Sequence, residues 1–300
     1  MDWISGIQNA INYIEEHLTQ ELDYEAIARE SFSSPFHFQR CFSILCGYTL
    51  GEYIRNRRLT LAGAELSNTR EKIIDVAYKY GYENPESFAK AFQKFHGITP
   101  SQARGGGVTL RSFSRLSIKV TLEGGSMMNY RMEEKPAMLL TGYKRRFTGD
   151  PNDKGMQDHN FACENRVLQY ILEGMSRQHD DTYQVLTNFG PDGYDFYFAY
   201  ELPKWALEEF DEDLGEMAKQ FEHIAIPAGL YLVCETERCM FPTELADDLR
   251  RRAVSEWLPS SGYELRSAPE LGVIHWPFEE GNEAVNNSHY CEVWLPITKK

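Results

Sequence analysis

The sequence predicts two domains of different class. An all-α N-terminal domain with two helix-turn-helix units spans residues 1–104, and an α+β domain spans 127–300. The second is read as a duplicated β-α-β-β unit whose antiparallel sheet carries helices on one face. Three observations lead there. A pattern recurs at a constant offset of 50, in Pro35/Pro85, Phe38/Phe88, Phe42/Phe92, Gly47/Gly97 and Thr49/Thr99. A weaker repeat relates PAMLL (136–140) to PAGLY (227–231), Tyr183-Gln-Val-Leu to Tyr263-Glu-Leu-Arg, and Glu201-Leu-Pro to Trp294-Leu-Pro. Between the two repeats, Gly105-Gly106-Gly107 reads as a hinge. Charge changes there too: residues 1–107 hold 11 basic and 13 acidic side chains, net -2, which leaves -12 of the total -14 for 108–300.

In chain order, Ile4, Ile7, Ile11, Ile14 and Leu18 step by three and four and predict an amphipathic first helix. Asp23 is the N-cap of the next, with Leu22 placed to staple onto Ile27 and the small Ala28 suited to close packing. Ser34-Pro35 opens the helix of the first unit. Its turn has Phe32-Ser33, and Phe32 is expected to supply a core aromatic from that position. Residues 51–66 form a linking helix buried through Ile54, Leu61 and Leu66. In the second unit Gly81 supplies the positive φ of a sharp exit. Asn84-Pro85 then caps and starts a helix whose Phe88, Phe92 and Phe95 face the core. Beyond the hinge, alternation in LRSFSRLSIKVTL predicts a strand ending at Gly124-Gly125, so 105–126 is read as a linker with a hinge and a strand. In the C-terminal half helices are expected near 157–177 and 242–258, each followed by two strands.

Composition narrows the function classes. A 42% hydrophobic content suffices for packed cores, and no apolar run reaches the ~18 residues of a membrane span. The N-terminus lacks the basic start of a signal peptide, which implies a cytoplasmic protein with no membrane partner. The six cysteines form no CxxC pair and the histidines no ligand cluster, so reduced thiols and no metal are expected. No GxSxG, HExxH or phosphate-loop glycine pattern occurs, so neither a catalytic residue nor a cofactor is expected.

With the phenylalanines facing inward, Phe36, His37, Gln39 and Arg40 of the first unit and Glu86, Ser87, Lys90 and Lys94 of the second are left outward, Ala89 among them. Such side chains suit a DNA groove: Gln and Arg can read adenine and guanine edges, Phe can touch a thymine methyl, and a carboxylate accepts from cytosine. Arg55, Arg57 and Arg58 are expected to meet phosphates. Two units at this spacing, the second ending in GITPSQAR, closely resemble the DNA-binding domain of AraC-type transcription regulators. The resemblance implies double-stranded DNA as partner, two groove helices reading successive major grooves about 34 Å apart, and RNA polymerase as a further partner.

In the last strand, alternation puts Cys291, Val293 and Leu295 against helices and Tyr290, Glu292 and Trp294 on the other face, and the repeat transfers that choice to Tyr197, Ala199 and Glu201. Tyr231 and Trp276 are further candidate walls of a cleft. A carboxylate among rings suits a cationic or amphipathic organic molecule. The strand order, SEWLPSSGYEL and CEVWLPI resemble the GyrI-like effector-binding domain over 127–297. This resemblance implies a ligand-controlled transcription regulator with Glu292 as the acidic ligand-binding residue. Hydrolysis of a small molecule in the same cleft, or sequestration of a toxic one, stay open as alternatives.

Overall fold

The computed structural model describes residues 3–105, 107–118, 128–148, 157–176, 181–190 and 193–300. The chain divides into two compact units, Met1–Phe42 with Tyr48–Leu122, and Ser43–Gly47 with Glu123–Lys300.

The first unit is helical: α1 (Trp3–Glu16), α2 (Tyr24–Glu30), α3 (Pro35–Cys46), α4 (Leu50–Asn68), α5 (Ile73–Lys79), α6 (Pro85–His96) and α7 (Pro100–Arg104). The caps Asp23 and Asn84 are the sequence-predicted ones, and Thr49 and Thr99 add two more. Asp23 accepts from the Glu25 N–H, Asn84 accepts from the Glu86 N–H, and Thr49 and Thr99 each close a capping box. One core runs under α4 to α7 through Leu59, Leu66, Val76, Ala77, Phe88, Phe92 and Ala103.

The two turns differ. The N–H of Ser33 bonds to the Ala28 carbonyl as that of Tyr82 bonds to Ala77, so Phe32 takes the place of Gly81. From there the first turn reaches its proline one residue sooner than the second. Phe32 holds φ +55° where Gly81 holds +80°, and its ring is 74% exposed. It supplies no core aromatic, contrary to the sequence expectation. The ring it was to replace belongs to Tyr82, which packs edge-on against Phe88 at 5.3 Å.

The stretch after the hinge is no strand. Residues 107–118 run extended over the helical unit, tied through successive backbone N–H groups to its side chains: Arg111 to His96 Nδ1, Phe113 to Thr60 Oγ1, Leu116 to the Tyr53 hydroxyl and Ile118 to Gln8 Oε1. Phe113 packs edge-on against Tyr48 and Tyr53. Burial lowers the His96 pKa, which suits a neutral ring that donates to the Leu59 carbonyl and accepts from Arg111. Gly124-Gly125 lies outside the described residues.

The second unit contains β1 (Tyr130–Lys135), β2 (Met138–Phe147), α8 (Gln157–Glu164), α9 (Arg166–Ser176), β3 (Asp181–Gly190), β4 (Gly193–Glu201), α10 (Lys204–Glu208), α11 (Phe210–Leu214), β5 (Glu222–Ile226), β6 (Gly229–Glu235), α12 (Thr243–Arg252), α13 (Leu258–Ser261), β7 (Tyr263–Leu265), β8 (Glu270–His275), α14 (Glu283–Asn286) and β9 (Tyr290–Lys299). One sheet takes the order β1-β6-β9-β8-β3-β4-β2-β5, with β7 paired to the end of β9. The duplication is real but interleaved. β1 edges β6 of the other copy and β5 edges β2, while β3 and β8 meet at the centre. The strand that answers β3 is therefore β8, not the Tyr263 segment that the repeat suggested.

Alternation sorts two cores. On the helix face Tyr143, Phe147, Phe196, Phe198 and Tyr200 pack under Phe161, Leu168 and Leu172. There too Arg250 of α12 grips Glu270 through Nε (2.7 Å) and Nη2 (2.5 Å), which pins that helix to the sheet. On the opposite face the sheet curls until Leu140, Ile224 and Ile226 of one half join Tyr231, Val233 and Trp294 of the other in a single cluster with Tyr183, Tyr197, Ala199, Leu271 and Val273.

Candidate functional sites

In the helical unit, α6 presents Glu86, Ser87, Lys90 and Lys94 outward, all exposed, while Phe88 and Phe92 are fully buried. Gly97 ends the helix in the left-handed conformation. Helix α3 differs. Phe36 and Gln39 are half-buried, but His37 and Arg40 are buried, where the sequence reading left them outward. The reason lies in composition: Phe36, Cys41, Ile44 and Leu45 carry apolar surface around the helix, so no continuous polar face survives. The His37 ring lies 3.6 Å from Cys41 Sγ, one turn on.

Two expected phosphate contacts are corrected. Arg57 is tied inward: Nε and Nη2 donate to Glu15 at 2.8 Å each, and Nη1 donates to the Phe113 carbonyl at 2.6 Å. The Tyr53 hydroxyl donates to the same carboxylate. Burial alone would raise the Glu15 pKa, but these donors hold it below the usual range. Arg58 donates to the carbonyls of Leu18 and Gln20 beyond α1 and walls a cavity of about 420 Å³ with Tyr24, Tyr78 and Tyr82. Both arginines hold helices together across some 40 residues of sequence, for which no local signal exists. Arg55 is half-buried beside them.

In the second unit the concave face gathers most of the expected residues. Tyr197, Tyr231 and Trp294 lie in its core, with Glu292 buried beside them and Tyr290 at the margin. Glu201 is exposed at the end of β4 but lies on the same face, paired in register with Leu140 of that core. Trp276 is a correction: it follows β8 with the parity opposite to Leu271 and Val273, and its indole N–H donates to Thr182 on the helix face (3.1 Å).

Glu292 is paired within the protein. Arg131 Nη2 donates to Oε1 and Trp294 Nε1 to Oε2, both at 2.7 Å. His275 Nε2 stands 3.9 Å from Oε2, and its Nδ1 meets Asp181 at 2.5 Å. Burial raises the Glu292 pKa, but His275, Arg131 and Trp294 outweigh it and hold the group at about 2. Burial likewise lowers that of His275, while Asp181 and Glu292 lift it to about 9.

Sequence reasoning missed β1, although its alternation carried the signal. Arg131, Glu133 and Lys135 pair with Val233, Tyr231 and Gly229, and so share the concave face. Lys135 Nζ sits 4.0 Å over the Trp294 ring and pairs with Glu133. At the other half Lys144 pairs with Glu222, which also accepts from the Tyr197 hydroxyl. The cation positions over this carboxylate and this ring are thus filled by the protein's own side chains.

Comparison with known proteins settles the family. The model for the integron-associated effector binding protein matches residues 131–297, and one for a helix-turn-helix domain matches 27–106. The chain belongs to the integron-associated effector binding proteins. Its helical third belongs with the AraC-type regulators. It is 41% identical over 98 residues to the regulatory protein SoxS of Salmonella typhimurium, covering 33% of this chain and 92% of that one. It is 42% identical over 100 residues to the transcriptional activator AarP of Providencia stuartii, covering 33% of this chain and 74% of that one. Among solved structures, a bacterial transcription regulation protein from Staphylococcus aureus MU50 is similar at TM-score 0.39 and 14% identity, over 57% of this chain and 99% of that one. This effector-binding family member is therefore a DNA-binding transcription regulator of AraC type with an effector-binding domain. Among the described residues no helix is long and apolar enough to cross a membrane.

Proposed function

We propose that a small amphipathic organic molecule, seated on the concave face among Tyr183, Tyr197, Tyr231, Trp294 and Glu292, controls how the helical unit occupies a bipartite DNA site. The carrying observation is the concave face itself. It joins buried aromatic rings to a carboxylate held ionised in a dry environment, a combination suited to holding a flat organic molecule by its rings and orienting it by its polar edge. The sequence expectation is a cationic or amphipathic ligand, and a cationic group has to compete with Arg131 and Lys135 for the same partners.

On DNA, α6 reads one major groove with Glu86, Ser87, Lys90 and Lys94, and α3 meets the next with the half-buried Phe36 and Gln39. The effector changes that occupancy, and the consequence is passed to RNA polymerase. Selection from a random duplex library with the full chain tests the reading: two half-sites about 10 to 10.5 base pairs apart are expected. A thermal-shift screen of aromatic compounds follows, with each hit retested for its effect on the selected duplex. Hits that raise the melting temperature but leave DNA affinity and transcription from that duplex unchanged would sink effector control.

A further inference from the structure

The cation positions over Glu292 and Trp294 are filled from within, and by a single strand. β1 lies at one edge of the sheet and pairs with β6. Its Arg131 donates to Glu292 Oε1 at 2.7 Å, and its Lys135 Nζ sits 4.0 Å over the Trp294 ring. Glu133, midway between them, takes Arg131 Nε on Oε2 at 3.0 Å and Lys135 Nζ on Oε1 at 2.9 Å. One carboxylate thus holds both cations in place. Together the two side chains make the contacts that an amphipathic cation would make with this face, a charge on the carboxylate and a cation over the ring.

The partners differ in what they lose by separating. Arg131 has 45% of its side chain exposed and Glu292 only 9%. A guanidinium that already reaches water swings out at little desolvation cost, whereas the buried carboxylate stays and requires a replacement. Trp294 is fixed as well, because its indole N–H donates to Glu292 Oε2 at 2.7 Å. The ring and the carboxylate are therefore the standing half of the site, and the room for an effector is the room that the β1 side chains give up.

We infer that Arg131 and Lys135 are an internal stand-in for the effector and set its selectivity. An effector enters by taking Glu292 from Arg131 and the Trp294 face from Lys135. A molecule that brings both a positive group and a ring replaces both contacts. One that brings only a ring leaves Glu292 with Arg131 and binds more weakly. This rests on the concave face being the effector site. It gives two residues that line the site the reverse of the usual effect, since removing either strengthens binding.

Titration calorimetry on the full chain at pH 7 with 2-naphthylmethylammonium and its neutral analogue 2-naphthylmethanol tests this. Arg131→Met keeps the apolar stem and removes the charge. It is expected to tighten the ammonium about 10-fold or more while moving the alcohol less than about 2-fold. Lys135→Met clears the ring and should tighten both probes by about 3-fold or more. Should Arg131→Met fail to fold, Arg131→Gln keeps a donor without the charge and is expected to shift the ammonium in the same direction by a smaller factor. The inference is overturned, with the effector reading left standing, by ammonium binding that is unchanged or weaker in the Arg131 variant that folds, or by an equal gain for both probes there. Lys135→Met without a gain for either probe overturns it too. Failure of both probes to bind the natural chain and every variant overturns both readings.

Discussion

Phe32 holds a left-handed backbone that favours glycine, and it gains no packing in return because its ring is exposed. Phe32→Gly should relieve the strain and raise the stability of the helical unit by about 0.5 to 1 kcal/mol, read from the urea midpoint; a loss would mean that the ring packs in solution. His275 and Glu292 give the effector domain a pH window. The His275 pKa is raised to about 9, so its contribution is complete below about 6.5 and disappears as pH climbs through 9. The Glu292 pKa is lowered to about 2, so its contribution is complete above about 4.5 and disappears as pH falls through 2. Between those limits stability should be flat, with a fall of about 2 to 3 kcal/mol across the alkaline arm. Chemical denaturation at pH 5.5 and 9.5 measures that arm, and His275→Gln should nearly abolish it. The concave placement of Glu292 was legible in the sequence because strand alternation has a strict period. Its partners were not, since Arg131 lies 161 residues away and His275 belongs to another strand.

At the scale of elements, α6 was legible almost to the residue, because cap, proline and phenylalanine spacing are all local signals. Helix α3 was legible as a helix but not as a surface, and the one-residue difference between the turns was hidden because every pair that defines the offset of 50 lies at or beyond the prolines, while the turns themselves are related by 49. Arg57 shows the limit of reading a charge as a contact with solvent or phosphate. It joins α1, α4 and the extended stretch after the hinge through Glu15 and the Phe113 carbonyl, with only 12% and 9% of the paired side chains exposed. Arg57→Ala should therefore destabilise the helical unit by about 2 to 4 kcal/mol, since it strands a mostly buried carboxylate. The slope of DNA affinity against salt should stay as it was. A stable variant whose salt slope flattens by about one unit would restore the phosphate role.

For the whole molecule, the acidic balance and the DNA-binding function are reconciled by placement: the helical unit is nearly neutral, and Lys90 and Lys94 stand clear on α6. Lys90→Ala and Lys94→Ala should each weaken all duplexes nearly equally and lower the salt slope by about one unit, with folding stability unchanged. Anisotropy titrations over a range of salt concentrations decide this, and a loss confined to one sequence would assign the lysine to base readout. The two-unit plan was visible from the repeats, although the glycine run at 105–107 falls inside the first compact unit, and the interleaving of β1 and β5 was not, because strand pairing between copies leaves no mark on either copy alone. The extended stretch after the hinge has a mechanical consequence. Its anchors lie in single file, Arg111 to His96, Phe113 to Thr60, Leu116 to Tyr53 and Ile118 to Gln8. Tension applied from its C-terminal end loads them one at a time, as tape is peeled rather than sheared. Ile118 releases first and Arg111 last, so the helical unit is unfastened by degrees, each step at low force.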